Sequence, residues 1–369
     1  MQAPTYFEER SNIIAQPVET STILTYKTIY GQYTMMSANL SNYLPEIDPA
    51  SHMKLFQQLL IHKQLTRLEQ ASKEALEELI IENETGYALT SLAHRPSIYC
   101  TFHTGSYRIV NLFLMRHNVP FSLVIGSAIN KAEGDEYLQQ QKLLFPNSDF
   151  SIIDAENPSG VVQMMRALKS GRSLLFYLDG NTGTGAGNSQ NANCCCIHFL
   201  HQQLFARNGV AYLSHVCNVS IIPVINYRPK WEEVRLRLLA SVFPEKQTDR
   251  NVFSQVCTQD LYNMVAPYIK LYPEQWEGWL YVHKWTNIIH KSTQTELPVK
   301  RDKLSLNLHH YGVFSIGDES FLLKKSNYSA YPIEFDLYRL LKNSIHKPIG
   351  RDQLDAHTLE ELELNGVVH

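Results

Sequence analysis

The sequence predicts an α/β fold with a mostly parallel central sheet flanked by helices, and three observations point to it. Short β-like runs alternate with helical runs through the middle of the chain, the grammar of a sheet covered on both faces. "LKSGRSLLFYLDG" is one clear unit of that grammar: a helix ending at Gly171, a buried strand, and an Asp179-Gly180 stop. The 369 residues and 44% hydrophobic content supply enough apolar surface for one large core plus smaller modules.

Taken in order, residues 1–45 carry polar and aromatic positions without clear periodicity, and no element is assigned there. Asp48 and Pro49 read as an N-cap and first-turn proline, followed by Met53, Phe56, Leu59 and Leu60 at helical spacing. A second helix is expected over 65–81, giving an N-terminal extension and helical hairpin over 1–85. The core, 86–291, is expected to hold strands at 97–102, 121–125, 150–153, 173–178, 220–225 and 234–238. Helices are expected between them at 107–116, 136–144, 159–169 and 202–217. A polar linker at 292–305 leads to a small α+β module, 305–369. There "YGVFSIGDESFLLKK" reads as a hairpin about a Gly-Asp turn, with helices at 333–343 and 358–365, a winged-helix-like arrangement.

A net charge of −3 predicts no general affinity for nucleic acid or for anionic membranes. The six cysteines contain no CxxC spacing, so reduced thiols are expected rather than a metal site or disulfide framework. The N-terminus has no signal-peptide pattern, and no apolar run approaches the ~20 residues of a membrane span. A cytoplasmic protein with no integral membrane segment is therefore expected.

Four constellations could carry chemistry. In "SIYCTFHTGSYRIVNLFLM" an apolar run stops at His103, Gly105 lets the backbone approach closely, and a helix follows. A histidine at a strand's carboxyl end can serve as general base or simply cap the helix. Asp179, opening the run "GNTGTGAGN", can orient a catalytic group, line a cleft, or be an acidic turn residue. Pro223 inside a strand marks an edge, a bulge or a site. His198, His201 and His215 lack zinc spacing and read as core or surface residues, and Trp276, Trp279 and His283 fall on one helical face.

In sequence order these segments resemble the lysophospholipid acyltransferase superfamily, in its lipid A late-acyltransferase (lauroyl/myristoyl transferase) branch, over about residues 50–288. The branch's His-x-x-x-x-Glu falls on His103 and Arg108, its Asp-Gln-like turn on "ALKSGRSLLFYLDGN", and its closing Pro-x-Gln-Trp-x-Trp on "YPEQWEGW". Its Phe-x-Gly reads Phe199-Leu200-His201, no counterpart of its arginine motif stands between Ser127 and Phe145, and its N-terminal membrane anchor is not expected here. The resemblance implies an acyltransferase with His103 as general base. It also implies an acyl-CoA or acyl carrier protein thioester as donor of an acyl or aminoacyl group, a hydroxyl or amine as acceptor, and no bound cofactor. Arg108 cannot accept the imidazole N–H and is expected to meet a substrate anion. Implied site residues are His103, Arg108 and Asp179 for catalysis, and Gly105, Ser106, Tyr107, Gly180, Asn181, His201 and Pro223 for substrate. A cysteine inside an apolar strand, Cys100, is expected to pack rather than react. The alternatives are a non-catalytic scaffold that keeps the cleft, and a thioesterase-like hydrolase. The C-terminal module resembles PqqD-like winged-helix domains, which implies a peptide or protein partner.

Overall fold

A computed structural model describes residues 4–180, 193–245, 247–288 and 302–369. They form two compact units. The first comprises Met1–Pro17, Gln58–Phe199 and Leu204–Gly278; the second comprises Val18–Gln57, Leu200–Gln203 and Trp279–His369.

The first unit is built on a seven-stranded sheet. Its chain carries β1 (Ile80–Asn83), β2 (Ile98–Thr101), β3 (Phe121–Ile125), β4 (Phe150–Asp154) and β5 (Ser173–Tyr177). A hairpin of β6 (Cys194–Phe199) and β7 (Gln202–Arg207) follows, then β8 (Ile221–Lys230) and β9 (Glu233–Leu238). The sheet order is β1-β9-β8-β2-β5-β3-β4. Strands β8, β2, β5, β3 and β4 run parallel, and β9, paired with β1, runs against them. The expected α/β class with a mostly parallel sheet is what the chain adopts.

Alternation along the strands feeds two apolar layers. Tyr99, Leu175 and Ile222 pack with the helix Ile109–Arg116 on one face. Ile98, Cys100, Leu174 and Ile221 pack on the other with Leu168, Leu213 and Leu261, from the helices Gly160–Lys169, Gly209–Cys217 and Arg250–Leu271. Among the described residues no helix is long and apolar enough to cross a membrane.

Several local expectations change. One helix, His52–Gln70, replaces the expected hairpin, and the chain beyond it forms a short turn and then β1. The β-branched pair Ile80-Ile81 aligns beside Arg235 and Leu236 of β9. The helix expected over 202–217 is a strand and then the helix Gly209–Cys217. Buried Gln202, Leu204 and Ala206 alternate with half-exposed neighbours, a period of two, and Leu200 makes the preceding turn at φ +54°. Pro223 lies in an interior strand rather than at an edge. It sits where β8 ends its pairing with β2, opposite Cys100, and begins pairing with β9 at Val224, so its missing N–H falls at the changeover.

In the second unit the unassigned N-terminal stretch is helical, Thr20–Thr25 and Lys27–Tyr43. Beyond β10 (Thr286–Asn287) and β11 (Lys303–Leu304), the expected hairpin is β12 (Tyr311–Ile316) and β13 (Glu319–Lys324). A third antiparallel strand, β14 (Ser329–Ile333), was not expected; the helices Phe335–Ser344 and Ala356–Leu364 follow, with β15 (Ile349–Gly350) pairing β11. Thr34 donates to the Val313 carbonyl at 3.0 Å, and a Cβ on Gly312 would stand 2.7 Å from Thr34 Cγ2. Glycine there lets helix and strand close on each other. The expected linker over 292–305 lies mostly outside the described residues.

Candidate active site

The strand register brings His103 and Asp179 together. β2 and β5 are adjacent and parallel, with Thr101 beside Tyr177. His103 and Asp179 each lie two residues beyond that last pair, at the carboxyl ends where open α/β sheets place their ligands. His103 Nδ1 is 2.8 Å from Asp179 Oδ1. A carboxylate can only accept, so Nδ1 carries the proton and any proton taken from a substrate goes to Nε2. The His103 backbone N–H also donates to both carboxylate oxygens at 3.1 Å, and Trp276 Nε1 donates to Oδ2 at 2.6 Å. The Asp179 carboxyl group is buried at 5% exposure, so these donors substitute for the water it has lost.

The imidazole is fixed on its faces as well. It stacks on Tyr177 with centroids 4.8 Å apart and meets Tyr107 edge-on at 4.7 Å. The turn carrying it is gripped by the "YPEQWEGW" segment. The Glu277 N–H donates to the His103 carbonyl at 2.8 Å, and the Gly105 N–H donates to the Gln275 carbonyl at 2.9 Å. The Gln275 side chain exchanges two bonds with the Arg228 backbone, at 2.8 and 2.7 Å. Thr66 donates to the Gly105 carbonyl at 2.9 Å. Gly105 has φ +55°, and a Cβ there would lie 2.8 Å from the Asn226 carbonyl oxygen, so the turn requires glycine. Trp276 and Trp279 do not share one helical face. Trp276 lies between two short 3-10 turns, Pro273–Gln275 and Glu277–Leu280, as a bridge partner of Thr104, Trp279 lies in the second turn, and both are fully buried.

No family model matches the sequence, and no curated protein matches it. Among solved structures the chain is similar to the 1-acyl-sn-glycerophosphate (LPA) acyltransferase PlsC from Thermotoga maritima. The likeness has a TM-score of 0.31 at 12% identity and covers 66% of this chain and 97% of that one.

Arg108 takes no part in the His103–Asp179 pair. Its Nη1 donates to Gln70 Oε1, its Nε donates to the Tyr107 hydroxyl at 3.3 Å, and its Cζ lies 5.6 Å from the centre of the Tyr107 ring. Among the described residues no acid lies within ion-pair distance of it. It is also the N-cap residue of the helix Ile109–Arg116, where a cation opposes the helix dipole by about 0.3–1 kcal/mol.

The remaining predicted residues divide by location. Gly105, Ser106 and Tyr107 share the His103 turn, with Ser106 and Tyr107 buried, and Gly180 follows Asp179 directly. Asn181 lies outside the described residues. His201 belongs to the second unit, where its Nε2 is 3.3 Å from Glu46 Oε2. Two other carboxylates at the sheet's carboxyl edge, Asp154 and Glu156, accept from Ser127, its hydroxyl donating to Asp154 and its N–H to Glu156. Cys100 is buried within β2, and burial pushes its thiol well above the ordinary range, as expected of a packing residue. Among the described residues no group of His, Cys, Asp and Glu could hold a metal ion.

Sequence reasoning missed the Trp276 contact. The indole N–H is a polar group that needs a partner when buried, and a Cβ on Gly278 would collide with the ring, so glycine keeps the space beside it open. A tryptophan between Gln275 and a glycine two places on was the available signal.

Proposed function

We propose that the chain is an acyltransferase in which His103, held by Asp179, is the general base. The observation that carries this is the 2.8 Å Nδ1–Oδ1 contact, with Asp179 itself fixed by Trp276. The arrangement supports a working base over a degenerate site, because the carboxylate missing at position 108 is supplied from the neighbouring strand.

The acceptor hydroxyl or amine loses its proton to His103 Nε2 as its oxygen or nitrogen attacks the thioester carbonyl carbon. Asp179 stabilises the imidazolium that forms and holds the ring in the tautomer that can accept. Collapse of the tetrahedral intermediate breaks the C–S bond. The imidazolium then returns its proton to the departing thiolate, so no enzyme-bound acyl group and no cofactor is needed. An acyl-CoA or acyl carrier protein is the donor. The C-terminal α+β module is the surface for a peptide or protein partner.

A thioester panel tests this, with product identified by mass and free thiol released by the donor measured in parallel. Acyl product that forms only with an amine or hydroxyl acceptor supports the proposal. Free acid released at the same rate without acceptor makes the protein a hydrolase, and no turnover of any donor makes it a binding protein.

A further inference from the structure

Beside the His103–Asp179 pair, three hydrogen-bond donors make no bond among the described residues, while two buried amide oxygens of the same network, Asn111 Oδ1 and Gln141 Oε1, accept none. Arg108 Nη2 makes no bond. The Tyr107 hydroxyl accepts from Arg108 Nε, which leaves its own proton undirected. The Tyr137 hydroxyl is buried and unpartnered. The Arg108 charge acts on both phenols, and on that of Tyr177. Burial pushes all three phenols upward, so they stay protonated and able to donate.

The charge balance selects the ligand. One guanidinium and two phenol protons match a monoanion with two oxygens, whereas a phosphate dianion calls for a second cation. Glu277 is the carboxylate whose charge reaches Tyr107, and it faces Lys63 at 3.6 Å rather than Arg108. Position narrows the choice further. The Tyr107 ring centre lies 5.6 Å from Arg108 Cζ and 4.7 Å from the centre of the His103 ring. An anion at Arg108 is thus one aromatic ring from the base. That spacing suits a substituent a few bonds from the reacting atom. The phosphates of CoA or phosphopantetheine lie a whole pantetheine arm from the thioester and do not fit.

We propose that Arg108, Tyr107 and Tyr137 form a carboxylate subsite, and that the acceptor is an amino or hydroxy acid whose amine or hydroxyl reaches His103. That the carboxylate belongs to the acceptor rests on the acyl-transfer proposal; the subsite itself does not.

Calorimetric titration with glycine, L-serine and lactate, set against ethanolamine, inorganic phosphate and glycerol 3-phosphate, tests it without turnover. Saturable binding of at least one carboxylate, with none of ethanolamine, is expected in wild type and in His103→Ala. Arg108→Gln is expected to weaken it at least about tenfold, the loss of one charge-assisted hydrogen bond. Arg108→Lys keeps part of the affinity and Tyr137→Phe loses a smaller part, with circular dichroism confirming the fold of each. The proposal is overturned if ethanolamine binds as well as serine, if the phosphates bind better than the carboxylates, if nothing binds, or if Arg108→Gln binds like wild type. Carboxylate binding that depends on Arg108 in a protein that transfers no acyl group would retain the subsite and refute the acyl-transfer proposal alone.

Discussion

Replacing Asp179 with asparagine removes one charge and almost no volume, so its effect isolates what the carboxylate does. Three donors converge on that carboxylate: His103 N–H, His103 Nδ1–H and Trp276 Nε1–H. A carboxamide has one acceptor oxygen and one NH2. If its oxygen faces His103, the NH2 meets the indole N–H, donor against donor. If the oxygen faces Trp276, the NH2 meets His103 Nδ1 and favours the tautomer with the proton on Nε2, which cannot accept another. Either arrangement leaves a buried donor unpaired, at about 1–3 kcal/mol of stability. Loss of an oriented general base lowers kcat by about 10²–10⁴. Acceptor-dependent thiol release, followed under saturating thioester, reads kcat and KM separately. The expected result is that fall in kcat with acceptor KM little changed. A variant that folds and keeps kcat within roughly threefold of wild type would refute the assignment of Asp179 to the base.

Trp276→Phe keeps most of the buried ring and deletes the 2.6 Å bond to Asp179, so kcat should fall about tenfold with the fold retained; unchanged kcat would reduce Trp276 to packing. Gly105→Ala forces a Cβ against the Asn226 carbonyl at φ +55° and should cost about 1–3 kcal/mol in urea unfolding, since strain of this kind is costly. Burial pulls the Lys325 ammonium from 10.5 to about 7. The unfolded chain therefore holds that proton more tightly, and stability should rise with pH from about 7 towards 10. Lys325→Met should flatten that rise, and equal pH slopes in the two proteins would contradict it.

Much of this architecture is legible in the residues, and the failures have physical causes. The runs 121–125 and 173–178 announce strands because they are buried on both faces, and the structure places β3 and β5 there. The His103 turn is legible because an apolar run ends at a polar residue followed by glycine. The partnership of His103 with Asp179 is a long-range fact. It depends on β2 lying beside β5, and local pattern carries no information about which strands are neighbours. The strand Gln202–Arg207 was missed because its alternating positions hold glutamines, alanine and arginine, which period-two hydropathy does not separate from a helix start. The helix Lys27–Tyr43 was missed because polar Thr34, Ser37 and Asn39 are buried on it together with Tyr30, Tyr33, Met36, Ala38, Leu40 and Tyr43, which blurs the apolar period.

The central claim is that His103 takes the acceptor's proton, and single-turnover acyl transfer by His103→Ala tests it most directly. The variant is loaded with the preferred thioester and acceptor, with its fold confirmed by circular dichroism. A rate lowered by about 10²–10⁴, with thioester binding retained, is the predicted result. Acyl transfer at the wild-type rate would contradict it.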